Sequence, residues 1–224
     1  MTRIGTYLYE GAAWHFSQEG EDVILQRLFE GASAGFYVDV GAHHPRRFSN
    51  TYVFYQKGWH GINIEPNPKA MALFLKERPR DINVQAGVSD QPGTLTYIEF
   101  DEPALNTFDA GLAVTRERST RYKIVNRRQV TVFRLSDLLD RYLERGRQID
   151  FMSIDAEGFD LQVIRSNDWT RYRPTYLLIE NLGSSLESLP GQPIHEFLSE
   201  KGYRLHAKTM NTCIYGDGAG ETGS

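Results

Sequence analysis

The sequence has little cysteine, no long apolar run and no large charge excess, and each shortage excludes a class of protein. Its single cysteine, Cys213, has no disulfide partner within the chain, which favours a reducing compartment and predicts a cytoplasmic protein. No apolar stretch reaches the roughly 20 residues that cross a bilayer, and residues 1–16 lack the apolar core of a signal peptide. A net charge of −4 and a pI near 5.9 argue against a nucleic-acid partner and against a polybasic membrane anchor.

The composition is that of an ordinary globular protein, with 40% hydrophobic and 24% charged residues among 224. Segments typical of strands, loops and helices alternate along the chain, which predicts a doubly wound α/β fold on a mostly parallel sheet. We expect one domain over residues 1–216 and a flexible, glycine-rich tail over residues 217–224.

Five short apolar segments have the character of central parallel strands: "GFYVDV", "HGINIE", "DINVQAGVS", "IDFMSID" and "TYLLIEN". Ser17, Ser49 and Ser136 stand where N-caps are expected, and they predict helices that run to residues 29, 57 and 145. The chain closes with "YRLHAKT", a tight connection at 210–211, and "TCIYG". A closing antiparallel hairpin of this kind is the layout of class I methyltransferases, whereas dinucleotide dehydrogenases continue with parallel crossovers.

The middle of the chain departs from this alternation. "GTLTYIEF" (residues 93–100) predicts a further extended segment at the edge of the sheet, and residues 101–128 predict a long loop or a small helical insertion. Between Thr115 and Arg128 there are six basic residues and one acidic residue. This excess either helps to hold an anionic acceptor or forms a solvated face.

The loop after the first strand is the predicted ligand site, because ligands of open α/β sheets bind at the carboxyl ends of the strands. Gly41 lets backbone approach a ligand closely, and Asp39 offers a carboxylate. The G-x-G-x-x-G signature is missing, which counts against NAD or FAD. Glu65 ends the next strand, 26 residues after Asp39, where a carboxylate accepts both hydroxyls of a ribose. Its alternative role is to cap the helix that Pro66 begins.

Several segments together resemble the FkbM family of S-adenosylmethionine (SAM)-dependent methyltransferases. They run from about Ser17 to Thr212 and are "SQEGED", "FYVDVGAHHPRRFSNT", "GWHGINIEPNP", "ALNTF", "IDFMSIDAEGFDLQVIRSNDW", "RPTYLLIEN" and "AKTMNT". The resemblance implies a Rossmann-like class I fold, SAM as methyl donor, and O-methylation of a sugar, glycan or natural-product hydroxyl. It also implies a variable acceptor side within the insertion at 101–128.

The resemblance further implies roles for individual residues. Residues 85–89 would lie beside the adenine, and Asn106 with Thr107 would line the acceptor side. Ser17 serves either as a donor contact or as an N-cap. The residues implied to contact the donor are Ser17, Gln18, Asp39, Gly41, Ala42, Glu65, Gly87, Val88, Ser89 and Asp155.

The chemistry requires removal of a proton from the acceptor hydroxyl. His43 or His44 can serve as the base because histidine titrates near neutrality, and Asp155 or Glu157 can do the same. Asp155, Glu180 and Asn181 end two neighbouring strands, and their oxygens suit Mg²⁺ or Mn²⁺. The alternative without a metal is that the acids at 155 and 157 interact with a helix N-terminus. A catalytically silent module that binds an adenosine ligand is the alternative function.

Overall fold

The computed structural model describes residues 15–218, and its centre is a seven-stranded sheet. The strands, in chain order, are β1 Phe36–Val40, β2 His60–Ile64, β3 Ile82–Val84, β4 Gly87–Val88, β5 Gly93–Phe100, β6 Ile124–Phe133, β7 Phe151–Ile154, β8 Tyr176–Glu180, β9 Tyr203–Lys208 and β10 Thr212–Asp217. The helices are α1 Glu21–Leu28, α2 Tyr52–Gln56, α3 Pro68–Glu77, α4 Ala110–Ser119, α5 Leu135–Tyr142, α6 Asp160–Arg165 and α7 Pro193–Glu200, with a 3₁₀ turn at Pro103–Leu105.

The main sheet has the strand order β3-β2-β1-β7-β8-β10-β9. The first five of these strands run parallel, and β10 lies antiparallel to both β8 and β9. The order reverses between β1 and β7, so the carboxyl ends of these two strands form the switch point where such sheets bind ligands. The predicted class I arrangement, with its closing hairpin, is confirmed.

The core lies on both faces of β1, whose five residues are all buried. Val38 packs in the larger cluster with Ile62 and Met152, and Tyr37 packs on the other face with Trp59 and Phe151. A strand buried on both faces needs an unbroken apolar run, which is why "GFYVDV" is readable from sequence. Its one charged residue, Asp39, stands near its carboxyl end.

Two of the predicted N-cap residues do not occupy the N-cap position. Helix α1 begins at Glu21 after Gly20, which has a left-handed backbone. The Ser17 hydroxyl donates to the Asp22 carboxylate at 2.7 Å, and its oxygen accepts the N–H groups of Gly20 and Asp22 at 3.1 and 3.4 Å. Ser136 lies inside α5, because the Ser166 hydroxyl accepts the Leu135 N–H at 3.0 Å. A cap supplied from another part of the chain leaves no local pattern.

Ser49 behaves partly as predicted. Its hydroxyl oxygen accepts the backbone N–H groups of Thr51 and Tyr52, at 3.4 and 3.1 Å, although α2 itself begins only at Tyr52.

The middle segments form a second sheet with the order β4-β6-β5. "GTLTYIEF" therefore does not extend the main sheet: it pairs antiparallel with β6, from Gly93 opposite Val132 to Phe100 opposite Ile124. "DINVQAGVS" is divided after Val84, since β4 pairs with β6. The stretch 101–128 contains α4, as a helical insertion predicts, but its last five residues are strand. The sequence did not indicate this part of the strand, because it carries charged, exposed side chains such as Arg127.

Within residues 15–218, no helix has both the length and the apolar character that crossing a bilayer requires. Strand β10 extends to Asp217, one residue into the predicted tail. The rest of that tail after residue 218, and residues 1–14, lie outside the described part of the chain.

Candidate active site

A cleft with an empty volume of about 870 Å³ opens at the carboxyl ends of β1, β2 and β7. One side is formed by the loops after β1 and β2 together with the turn before β4. The other side is formed by the segment after β7 and by residues from β5 and the 3₁₀ turn. This is the position predicted for the ligand.

Glycine is the only residue type that fits at position 41 in this cleft. Its φ is +77°, and a Cβ built there would lie 1.8 Å from the carbonyl oxygen of Asp155. The backbone after β1 therefore passes directly against the segment after β7. Glycine has neither the steric penalty at positive φ nor the Cβ that would block this approach.

Asp39 and Glu65 line the same cleft, as the sequence predicted. Glu65 Oε2 accepts the His43 N–H at 2.9 Å, and its Oε1 accepts the Asn67 N–H at 2.7 Å. Burial raises the pKa of Glu65 to about 7, against these two hydrogen bonds. Both carboxylates are thus held in place at the edge of the sheet, with lone pairs left to accept ligand hydroxyls.

The other predicted donor contacts divide into two groups. Gln18, Ala42, Gly87, Val88 and Asp155 line the cleft. Ser17 and Ser89 are not among the described residues that line it. The Ser17 hydroxyl is engaged with Asp22, and Ser89 is joined through its N–H to the Phe133 carbonyl at 2.9 Å.

A half-buried acidic cluster, formed by Asp155, Glu157 and Glu180, stands at the carboxyl ends of β7 and β8. One carboxylate oxygen from each lies within 4.8 Å of the others, and Asp155 Oδ1 has no hydrogen-bond partner. Burial raises the pKa of Glu180 to about 9 and that of Glu157 to about 7, and it raises the pKa of Asp155 well above its usual range. Such a cluster must retain protons or attract a cation.

Two of the three predicted metal ligands, Asp155 and Glu180, belong to this cluster. They come together as expected, and Glu157 joins them. Asn181 lies one residue beyond β8, where its N–H donates to the Asn211 carbonyl at 2.7 Å.

Glu157 connects the cluster to the inserted segment. Arg116, from α4, forms an ion pair with its carboxylate and donates to the Leu105 carbonyl at 3.0 Å. The Thr107 hydroxyl donates to the backbone carbonyl of Glu157 at 2.7 Å. Of the two predicted acceptor-side residues, Asn106 lines the cleft, and Thr107 supports the turn at 157.

The two histidines have different environments. His43 lines the cleft, but burial and the nearby Arg47 lower its pKa to about 4, so the expected near-neutral titration is wrong for this residue. His44 is not among the described cleft residues. Its Nδ1 accepts the backbone N–H groups of Arg46 and Arg47 at 3.1 Å each, which gives it a role in the turn.

The sequence interpretation missed an aromatic group in the cleft, formed by Phe48, Tyr97 and Phe108. It also missed backbone strain: His43, Phe48 and Glu157 have φ values of 53°, 57° and 49°, and all three line the cleft. Non-glycine residues in this region cost free energy and concentrate at functional sites. No local sequence signal marks them, since all three are residues that rarely adopt this backbone.

The basic excess at 116–128 does not line the cleft. None of its six members is among the described residues lining the cleft. Arg116 meets Glu157, and Arg128 pairs with Glu99 at 2.7 Å. The interpretation of these residues as holders of an anionic acceptor loses its support.

The family model of the methyltransferase FkbM domain matches residues 39–205, which is most of the chain. The chain belongs to the FkbM methyltransferase family. The match includes Asp39, Glu65 and the whole acidic cluster, whereas Gln18, which also lines the cleft, precedes it. This FkbM protein is accordingly a SAM-dependent methyltransferase.

Two solved structures resemble the fold at low identity. A TehB-like SAM-dependent methyltransferase from Corynebacterium glutamicum is 9% identical, with 94% of this chain and 93% of that chain covered and a TM-score of 0.45. The METTL16 methyltransferase domain is 12% identical, with 88% and 80% covered and a TM-score of 0.46. No curated protein matches the chain.

Three features of the cleft are compatible with the SAM that the family uses. The close approach at Gly41 leaves backbone, and no side chain, at the switch point. Gly87 is similarly constrained, since a Cβ there would lie 2.7 Å from the Phe108 ring. Two buried carboxylates supply acceptors for hydroxyl or ammonium groups.

Proposed function

We propose that this FkbM protein is an O-methyltransferase that methylates a hydroxyl of a sugar, glycan or natural product in the cytoplasm. The observation that carries this proposal is a half-buried acidic cluster, two of whose members, Asp155 and Glu157, line the same cleft as Asp39 and Glu65. Carboxylates with a pKa raised towards neutrality are suited to take a proton from an acceptor hydroxyl.

SAM, when bound, supplies a methyl group on a sulfonium that is a good leaving group. In our proposal Glu65 accepts the ribose hydroxyls and Asp39 orients the donor at the end of β1. Gly87 and Val88 lie beside the adenine, and Gln18 is placed towards the methionine end. Holding two reactants in line contributes on the order of 7–11 kcal/mol to such a reaction.

Among the candidate bases, Glu157 has the best-matched environment. Its pKa of about 7 lets it be ionised at neutral pH while keeping appreciable proton affinity. His43 is a weak base at a pKa of about 4, and we assign it to the wall of the cleft. Asp155 lies in the same cluster, and burial raises its pKa well above its usual range.

A divalent cation is the alternative means of activating the hydroxyl. Asp155 and Glu180, with Glu157 or Asn181, would hold Mg²⁺ or Mn²⁺ through hard oxygen ligands. Such an ion would lower the pKa of the acceptor hydroxyl. Arg116 already supplies one positive charge to Glu157.

The donor is tested first. Calorimetric titration with SAM, S-adenosylhomocysteine (SAH) and NAD is expected to show binding of the first two and none of NAD. NAD binding without SAH binding would refute the proposed donor site.

The reaction is tested with labelled SAM and paired acceptors that carry either a hydroxyl or an amine on the same sugar or polyketide scaffold. Transfer to hydroxyls, lost in E157Q, is expected. Transfer to the amine alone would refute O-methylation, and SAH binding with no transfer to any acceptor would favour the silent binding module. The need for a metal is tested by measuring turnover after EDTA treatment and again after addition of Mg²⁺ or Mn²⁺. Turnover that does not change would reject a metal requirement.

A further inference from the structure

Arg78 is a fully buried cation that does not line the cleft. Its side chain and that of Asp81 are both 0% exposed, and Nε lies 2.7 Å from Asp81 Oδ2. A buried ion pair is costly to desolvate and is often replaceable by apolar residues without loss of stability. The other contacts of this buried pair therefore bear on its role.

Part of the guanidinium serves the fold. Nε pairs with Asp81, and one terminal nitrogen donates to the Tyr37 hydroxyl at 2.6 Å. Asp81 also accepts from Tyr37 and from the Gly61 N–H, at 2.8 and 3.0 Å. These contacts join the end of α3 to β1 and β2.

The other terminal nitrogen points towards the cleft. It donates to Thr51 Oγ1 at 2.9 Å, and the Thr51 hydroxyl donates to Asp39 Oδ2 at 2.8 Å. Arginine has donors only, so the Thr51 oxygen must accept. Thr51 Oγ1 also lies 3.2 Å from the Ser49 hydroxyl, which can donate to it. With the Thr51 proton on Asp39 at the shorter distance of 2.8 Å, Arg78, Thr51 and Asp39 form a relay whose members are all buried.

We propose that Arg78 and Thr51 are positioning residues that hold Asp39 as a fixed, ionised hydrogen-bond acceptor for the methyl donor, without touching the donor themselves. The inference rests on the proposed donor role of Asp39. It explains why a charge is retained where an apolar side chain would fill the same space. The acids that interact electrostatically with Asp39 are Asp81, Glu65 and Asp155.

The test compares two substitutions at Thr51 by SAH titration. Thr51→Val keeps the shape and removes the hydroxyl, and we expect SAH affinity to fall about tenfold, as for a lost hydrogen bond to a charged group. Thr51→Ser restores the hydroxyl and is expected to return affinity to within about threefold of the original protein. If the valine variant does not fold, Thr51→Ala removes the same hydroxyl with a smaller side chain, and the same fall in SAH affinity is expected.

Tyr37→Phe is the matched control, because it removes a hydroxyl from the Asp81 side of the same network. It is expected to lower the melting temperature and to leave SAH affinity unchanged. Wild-type affinity in the valine or alanine variant, or an equal loss in the tyrosine variant, would overturn the relay.

Asp39→Asn separates this inference from the proposed function. If that variant keeps SAH affinity, the donor role of Asp39 fails and the relay has no target. If it loses affinity while Thr51→Val does not, the relay alone is wrong.

Discussion

The two sides of the cleft differ in how their polar groups are satisfied. On the donor side, Glu65 accepts two backbone N–H groups, and Asp39 receives the Thr51 hydroxyl. On the acceptor side, Asp155 Oδ1 has no partner and lies within a cluster of acids. Groups that are satisfied before binding are preorganised, whereas a buried carboxyl oxygen without a partner marks a place for an incoming proton, cation or substrate. In our proposal the carboxylates of the donor side are therefore set before binding, and the acidic cluster of the acceptor side is completed by its ligands.

The largest expected effect is on the donor side. Arg78→Met should lower the free energy of unfolding by about 3–5 kcal/mol, because it leaves Asp81 buried without its counter-charge. Chemical denaturation measures the change. Arg27→Met is the control, since the Arg27–Glu30 pair is exposed and should contribute at most about 1 kcal/mol. Similar losses in both variants would contradict the importance given to burial.

The next effect concerns the contact between the two sides. Gly41→Ala should destabilise the protein by about 2–4 kcal/mol, which combines the cost of positive φ with that of overpacking against the Asp155 carbonyl. It should also abolish SAH binding. Gly31→Ala is the control for the cost of positive φ alone, because the φ of Gly31 is +84° and nothing lies within 4 Å of the added Cβ. An equal loss at both positions would show that the close approach is unimportant.

The third prediction tests the charge of Glu65 through pH. A hydroxyl ligand favours the ionised carboxylate, so SAH affinity should rise as pH increases from about 5.5 and level off above the pKa of about 7. Between the usual pKa of glutamate and this value, the folded state binds more protons than the unfolded state. The contribution of Glu65 to stability therefore falls as pH rises through that window.

Glu65→Gln should flatten much of this pH dependence and weaken SAH binding by about 1.5–3 kcal/mol at pH 8. Asp39, whose pKa burial raises to about 6, retains its own smaller dependence. Calorimetry across the pH range measures both, and an unaltered profile would remove Glu65 from the donor site.

The smallest effect belongs to the acceptor side. Arg116→Met should lower the free energy of unfolding by about 1 kcal/mol, since its ion pair is partly exposed. Because Arg116 lowers the pKa of Glu157, its removal should move the pH of half-maximal methyl transfer upwards. Arg128→Met, which breaks the pair with Glu99 in the same insertion, should cost similar stability without moving that profile. A shift in both variants would argue against Glu157 as the base.

The parts of the site readable from sequence are those that stand at the ends of buried strands. Asp39, Glu65 and Asp155 each follow an apolar run, and parallel strands bring such ends to one edge. Arg78 was not readable, because "KERPRD" resembles an exposed helix terminus. It is buried only because Tyr37, Thr51 and Asp81, from separate segments, surround it.

The sequence by itself determined the doubly wound fold, its closing hairpin and the position of the cleft at the carboxyl end of β1. Those features follow from local periodicity and from glycine at a position that excludes a Cβ. Only the tertiary structure decided the second sheet, the buried arginine, the strained backbone at 43, 48 and 157, and the grouping of Glu157 with Asp155 and Glu180. These features depend on contacts between segments that are distant in the sequence. Such contacts contribute free energy without producing a periodic pattern in the sequence of either segment.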